Sequence, residues 1–415
     1  MARHASMSSF THRGQLPGSR DFSGNRLAKT HKDSMENLPV SAPCVLLVDL
    51  MPGFGGMHLP RHLARVGLRV AFLGTRACMA SSSGFVEAFL PWEPENGGHY
   101  QVAPFAKAVR HCRPVCLVPI DECAAELLQI MGRGTTGQEA AFTLPGDIAA
   151  LVRNSLGNPD HYPLASARQR AYQTSRTADI PVPEQADVST QGEIIDFARR
   201  HQWRIVVKRE RSMGGVGIHI LDSEAATREF VAQGLFLASG GKWVAQAFMP
   251  GRLGMHAVFA VRGHVLAAVS AIQLLRRSEN ASAPSSVVML CGHKAMAASG
   301  AAFVEATGAS GFHGWDFQVD EGGNAFLIEH NPRPISISHL GGLLGSDLMA
   351  ALAASCGVRV PPPPHPPMDE CRVTLFPDEW RRDAASPWLH GQFHDVPWDD
   401  PALLGSVMAA NFSYR

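Results

Sequence analysis

The chain has 415 residues with 37 basic and 37 acidic side chains, so its formal net charge is zero. That balance excludes a global basic field for nucleic acid or anionic lipid, and no apolar run reaches the length of a membrane span. A hydrophobic fraction of 45% at this length fits a globular protein of roughly two or three domains with a large buried core.

Residues 1–41 are polar, rich in Ser, Arg and His, without hydrophobic period or the apolar core of a secretory signal; they read as a disordered tail of a cytoplasmic protein. The 8 cysteines are scattered, several of them within apolar runs, which fits reduced thiols better than a disulfide framework. His111, Cys112, Cys116 and Cys123 have the residue types of a zinc site but the spacing of no zinc module.

From residue 42 the pattern is strand, helix, strand. An apolar strand at 44–50 leads into a glycine-rich loop at 51–56, a helix at 57–66 and a second strand at 69–73. The loop lacks the GxGxxG spacing and reads as a tight turn over a helix N-terminus. A helix at 105–111, a strand at 115–120 and a helix capped by Asp121 continue the series, so residues 42–145 read as an α/β domain with a parallel sheet.

A second unit follows. Residues 166–178 read as a helix ended by Ile180-Pro-Val-Pro183, and residues 190–201 as a helix opened by the capping box Thr190…Glu193. The strand 204–208 ends in Lys208, the loop 209–217 carries Gly214, Gly215 and Gly217, and a strand at 218–221 closes the unit. A lysine and a glycine loop between two strands suit phosphate, because backbone N–H groups and the ammonium point at the same oxygens. Further elements are a helix at 223–237, strands at 243–249, 255–261 and 265–273, and a helix at 294–307. The polar loop 278–286 follows Arg276 and Arg277, which suit an acidic substrate or solvent. A helix at 340–354, a polyproline connector at 360–367 and one more strand at 371–376 complete the chain.

Residues 311–334 carry the chemistry. Two alternating strands flank the turn 320–324, a β-hairpin pattern. If Asp320 pairs with Ala325, Asp316 stands opposite Glu329, and Phe317, Val319, Phe326 and Ile328 share the core face. Opposed carboxylates repel unless a cation lies between them. With the oxygen of Asn331 they suit Mg²⁺. Arg333, between two prolines, is a planar fork for phosphate or carboxylate.

In this order, IVVKRERSMGGVGIHI, WVAQAFMPG and GWDFQVDEGGNAFLIEHNPRP resemble the ATP-grasp superfamily of biotin carboxylase and D-alanine–D-alanine ligase, over residues 42–354. The resemblance implies a mixed α/β and α+β architecture. Its parts are an N-terminal Rossmann-like domain (42–145), a central lid subdomain (146–245) and a C-terminal ATP-binding subdomain (246–360); a proline-rich connector and extension (361–415) follow. It implies that Lys208 contacts ATP phosphates, that Gly214, Gly215 and Gly217 close over them, and that Gln246, Ala247, Phe248 and Met249 form the hinge at adenine. Asp316, Glu329 and Asn331 would hold Mg²⁺ or Mn²⁺, and Arg333 the transferred phosphoryl group or a substrate carboxylate. Ser336, Ser338 and His339, just beyond, are expected in the substrate pocket with Arg276, His339 as a candidate acid/base.

The chain departs from the superfamily where Gln246-Ala247 replaces the hinge acid, where Arg252-Leu253 follows the Pro-Gly, and where Asp316 replaces a Glu. The earlier ATP lysine is missing, and Arg168 or Arg170, with Arg168 the better placed, is the expected substitute, since a guanidinium also neutralises phosphate. The implied reaction joins a carboxylate to an amine through an acyl phosphate, releasing ADP. The alternatives are a bicarbonate-activating carboxylase subunit, a phosphotransferase, or a nucleotide-binding regulatory protein without catalysis. The expected partners are small molecules, with no nucleic acid or membrane, and the superfamily admits a homodimer.

Overall fold

The computed structural model describes residues 42–95, 100–133, 143–161, 168–209, 217–234, 243–279, 283–362, 366–391 and 393–410. The expected tail (1–41), Gly214 and Gly215, residues 280–282 and residues 363–365 lie outside them.

Strands β1 (Cys44–Asp49), β2 (Arg69–Gly74), β3 (Ala88–Pro91) and β4 (Cys116–Pro119) form a parallel sheet in the order β3-β2-β1-β4. Every side chain of β1 is buried, because helices cover both faces. Leu47, Phe72 and Val118 meet Leu59 and Leu63 of helix Leu59–Arg65 on one side. Leu46, Leu73 and Leu117 meet Phe105 and Leu128 on the other. β1 lies between β2 and β4, so the loops at their carboxyl ends open a crevice, the usual ligand position in such sheets. Asp121 caps helix Glu122–Arg133 there; its Oδ1 accepts from Ala124 N–H at 2.9 Å.

Strands β5 (Gln185–Val188), β6 (Ile205–Arg209), β7 (Ile218–Leu221) and β8 (Trp243–Ala247) form an antiparallel sheet in the order β5-β8-β6-β7. The capping box forms as expected and starts helix Gln191–Arg200. Ile205 and Val207 of β6 pack on Ile194 and Phe197 of that helix. Val206 and Lys208 therefore face the other way, into the site.

A six-stranded antiparallel sheet completes the fold: β9 (Arg252–Val261), β10 (His264–Arg276), β11 (Ser285–Cys291), β12 (Gly311–Val319), β13 (Ala325–Asn331) and β14 (Glu370–Thr374), ordered β13-β12-β9-β10-β11-β14. The last predicted strand thus extends the large sheet by pairing with β11. The expected helix at 340–354 is instead a short turn at Gly341–Leu344 and a helix at Leu348–Ser355; the Asp347 side chain accepts from Met349 N–H at 2.8 Å and restarts the chain as a helix.

The hairpin β12–β13 departs from the expected register. Val319 pairs with Ala325, Phe317 with Leu327, and yet Asp316 with Glu329, because Ile328 is an extra residue in β13. The core therefore receives Ala325 and Leu327, not Phe326 and Ile328. Under the hairpin, Trp315, Phe303 and three imidazoles pack together: His330 and His313 are stacked, and His256 lies against Trp315. His256 Nδ1 and Ser270 Oγ share a hydrogen bond of 2.8 Å, as do His313 Nδ1 and His330 Nε2 at 3.1 Å.

The C-terminal extension is a clamp. Asp395 Oδ2 lies 3.3 Å from His58 Nε2 and 3.2 Å from His339 Nε2, and Asp399 pairs with Arg61 (2.9 Å) and Arg65 (2.7 Å). These three ligand-type atoms of His58, His339 and Asp395 are close enough to share an ion. However, Arg61 Nη2 donates to His58 Nδ1 at 3.1 Å, so the His58 proton sits on Nε2 and points at Asp395. The three groups bond to one another instead. Ser83 Oγ and Gly84 N–H donate to Asp400, and Leu403 and Val407 pack on Met57 and Met79. Helix Leu59–Arg65, the chain after Pro334 and the extension are so tied together.

Burial pulls His256 and His313 down to about 4, and His330 well below its ordinary value, with His313 adding to the effect. A histidine whose folded value is depressed takes up its proton in the unfolded chain first. Stability is then lost as pH falls from about 6.5 toward 4, by about 2 kcal/mol per histidine at pH 5. Urea unfolding at pH 7 and pH 5 should show this fall, and His256→Gln should diminish it. Removing the buried Asp395 carboxylate (Asp395→Ala) should lower stability by about 2 kcal/mol, since it leaves the buried Phe376 N–H and the His58 and His339 rings without their partner; the same unfolding curves measure it.

Candidate active site

A cavity of about 620 Å³ opens between the two antiparallel sheets, with Glu122 of the parallel-sheet unit at its end. From the smaller sheet it is lined by Val206, Lys208, Ile218, Ile220 and Gln246, and beyond β8 by Ala247, Phe248 and Met249. From the larger sheet come Met255, Leu275, Asp316, Glu329 and Asn331, with Arg333 beyond them. Apolar walls with a polar end suit a base and a phosphate chain.

The polar end rests on the bulge. In a regular strand Leu327 and Glu329 would share a face. The extra residue Ile328 turns Glu329 to the face opposite Leu327, beside Asp316. Burial, and then the Glu329 charge, push the Asp316 carboxyl upward. Three cations converge on this pair. Arg168 Nη1 is 2.7 Å from Glu329 Oε1. Lys208 Nζ donates to the carbonyl of the bulge residue Ile328 at 3.2 Å. Arg333 donates from Nη2 to Glu122 and, at 3.3 Å, to Asn331 Oδ1. Gly314 allows this approach, since a Cβ there would lie 2.3 Å from Ile335 Cγ2, just past the Asn-Pro-Arg-Pro turn.

Two crowded carboxylates, one held off its usual titration by burial and its neighbour, with an amide oxygen on the same face, fit a divalent cation with hard-oxygen preference. Arg168, Lys208 and Arg333 leave the surroundings rich in phosphate-binding cations. Hence the expected metal residues and the expected cations meet in one place. Ser336 and Arg276 also line the cavity. Gly217 is described at the start of β7 with φ +77°, a conformation glycine adopts freely.

Ser338 and His339 do not line it. Ser338 is buried and its Oγ accepts from Ile335 N–H at 2.8 Å, folding the turn after Pro334. His339 is in the Asp395 cluster, where burial and then His58 lower it to about 4, so it is not an acid/base of this site. Arg277 turns toward Asp378, at 3.8 Å. Sequence reasoning missed Glu122. The available signal was a second acid directly after the Asp121 cap, at the carboxyl end of a parallel strand. It also missed the amide chain Gln169–Gln185–Gln246, in which Gln246 Nε2 donates to Gln185 Oε1 at 3.0 Å and Gln185 Nε2 to Gln169 Oε1 at 3.1 Å. Gln246 is fixed by neutral partners where the superfamily has an acid.

No protein-family model and no curated protein sequence matches the chain. Solved structures do. An N5-carboxyaminoimidazole ribonucleotide synthetase in its ADP complex superposes with a TM-score of 0.54 at 14% identity, covering 78% of this chain and 79% of that one. The biotin carboxylase domain of Hydrogenobacter thermophilus 2-oxoglutarate carboxylase, with MgADP and bicarbonate, gives 0.54 at 14%, covering 78% and 71%. An L-amino acid ligase from Bacillus licheniformis gives 0.51 at 15%, covering 77% of each chain. The chain has the ATP-grasp fold. Among the described residues no helix is long and apolar enough to cross a membrane.

Within the cavity Lys208 is buried, and burial, followed by the nearby Arg168, lowers its ammonium to about 8. The cation is present below that pH and lost above it. MgATP should therefore bind about tenfold more weakly at pH 9 than at pH 7. Lys208→Met should bind weakly throughout and lose the pH dependence; calorimetric titration across that range reads both.

Proposed function

We propose that this protein is an ATP-dependent ligase that converts a carboxylate to an acyl phosphate, with release of ADP, and couples it to an amine. The observation that carries the reading is the convergence of Asp316, Glu329 and Asn331 with Lys208, Arg168 and Arg333 at one end of the cavity. The names of the L-amino acid ligase and of the ADP-bound synthetase among the structural neighbours support this class.

Asp316, Glu329 and Asn331 would hold Mg²⁺ (or Mn²⁺), which supplies neutralisation of the charge that builds on the phosphate oxygens during transfer. Lys208 and Arg168 bind the phosphate chain from the side of the smaller sheet. The glycine-rich loop of the sequence, with Gly214, Gly215 and Gly217, is the expected means of excluding water that would hydrolyse an acyl phosphate. Gln246 to Met249 receive the adenine edge against Phe248 and Met249. Arg333 presents its fork to the transferred phosphoryl group, and Arg276 and Ser336 face the carboxylate substrate. No covalent nucleophile is needed; the residues position and neutralise.

Glu329→Gln should leave the fold intact and lower carboxylate-dependent ADP release by at least about 100-fold, the scale of losing one group aimed at transition-state charge. Circular dichroism and a coupled ADP assay with pooled carboxylic and amino acids test this. Wild-type turnover in the variant would remove the metal assignment and with it the reading.

A further inference from the structure

Amide formation makes a demand that the phosphate-binding cations do not meet. An amine substrate is mostly an ammonium near neutral pH. Two protons leave its nitrogen on the way to the amide. As the C–N bond forms and the acyl C–O bond breaks, phosphate departs with that electron pair and takes one proton. The other needs an acceptor beside the acyl carbon.

The described residues offer few. The carboxylates that line the cavity are Glu122, Asp316 and Glu329, and no described histidine lines it. Asp316 and Glu329 face each other and serve the metal. Glu122 approaches from the other side. It is the first residue of helix Glu122–Arg133, at the carboxyl end of β4, where the crevice of the parallel sheet meets the cavity. It bonds Arg333 across 211 positions of sequence. Arg333 Nε is buried without a hydrogen-bond partner, so the guanidinium has unused capacity on the cavity side.

We propose that Glu122 is the proton acceptor for the amine substrate and that Arg333 releases it when a phosphoryl group arrives. The inference rests on the ligase reading above. While the site is without phosphate, Arg333 neutralises Glu122. A phosphoryl group on Arg333 offers more charge and a bidentate partner than a single carboxylate oxygen. Glu122 then loses its cation, becomes a stronger base and faces the incoming ammonium. Burial opposes the Glu122 charge, yet the carboxyl is held below its usual range, with Arg333 the largest of the lowering causes; removal of Arg333 therefore moves it upward. The arrangement ties the base to completion of the first step.

The test compares the full-length wild type with Glu122→Gln and Glu122→Asp, in Mg-ATP with a pool of amino, hydroxy and dicarboxylic acids. One arm receives hydroxylamine, which is mostly neutral at pH 7.5 and attacks without prior loss of a proton. The other receives a pool of primary amines. Glu122→Gln should keep hydroxamate formation within about threefold while amide formation falls about 10²–10³-fold, and Glu122→Asp should recover part of it. Equal loss in both arms would overturn the proposal in favour of a positioning role. Undiminished amide formation would overturn it outright. A wild type that forms neither product would instead refute the ligase reading, and this inference with it. An unchanged MgATP-induced rise in melting temperature shows that the variant still folds and binds nucleotide.

Discussion

Two carboxylates on neighbouring strands, Asp316 and Glu329, are the constraint around which the molecule is built. Directly opposed acids destabilise a sheet unless something positive lies among them. The fold supplies it from three directions: Arg168 from a helix before the smaller sheet, Lys208 from within that sheet, and Arg333 from the turn just past β13. The pair exists only because Ile328 is one residue too many for the ladder. A single bulge thus decides which face Glu329 occupies, and its carbonyl holds Lys208 as well. Repulsion at the hairpin and attraction to the surrounding cations are two sides of one arrangement, which a metal and a polyphosphate would complete in the proposed reading.

Rigidity is put where that arrangement needs it. Beneath the hairpin, Trp315, Phe303, His256, His313 and His330 fill the core and keep their imidazoles neutral. Past Pro334, Ser338 and His339 act on structure: one folds the turn that carries Arg333, the other binds it through Asp395 to the C-terminal extension. Asp395 stays charged in spite of burial because His58 and His339 surround it. The extension therefore holds the parallel-sheet unit, and Glu122 with it, against the turn that carries Arg333.

Much of this was legible from residue order. Strands with continuous apolar runs, the Thr190 capping box and the strand-loop-strand around Lys208 all follow from local periodicity. The opposition of Asp316 and Glu329 was read correctly for an incomplete reason. The assumed pairing of Asp320 with Ala325 was off by one residue, the bulge was not foreseen, and the two errors cancelled at Glu329 while they misplaced Phe326 and Ile328. A bulge leaves no mark in an alternating pattern, since Ala325, Phe326, Leu327 and Ile328 are all apolar and either pair could face inward. Ser338 and His339 were misplaced because adjacency to β13 says nothing about which way a turn presents its side chains. Glu122 was not found because its partner is 211 residues away. Arg168, expected in place of a missing lysine, stands beside Glu329.

The central claim is that a carboxylate oxygen attacks the terminal phosphorus of ATP. That oxygen must then leave with the phosphate when the amine displaces it. The most direct measurement is turnover with a carboxylate pool labelled in both oxygens with ¹⁸O, followed by mass spectrometry of the released phosphate and nucleotide. The account predicts one labelled oxygen in inorganic phosphate, formed together with unlabelled ADP. Label appearing in AMP, or phosphate without label while amide accumulates, would contradict it.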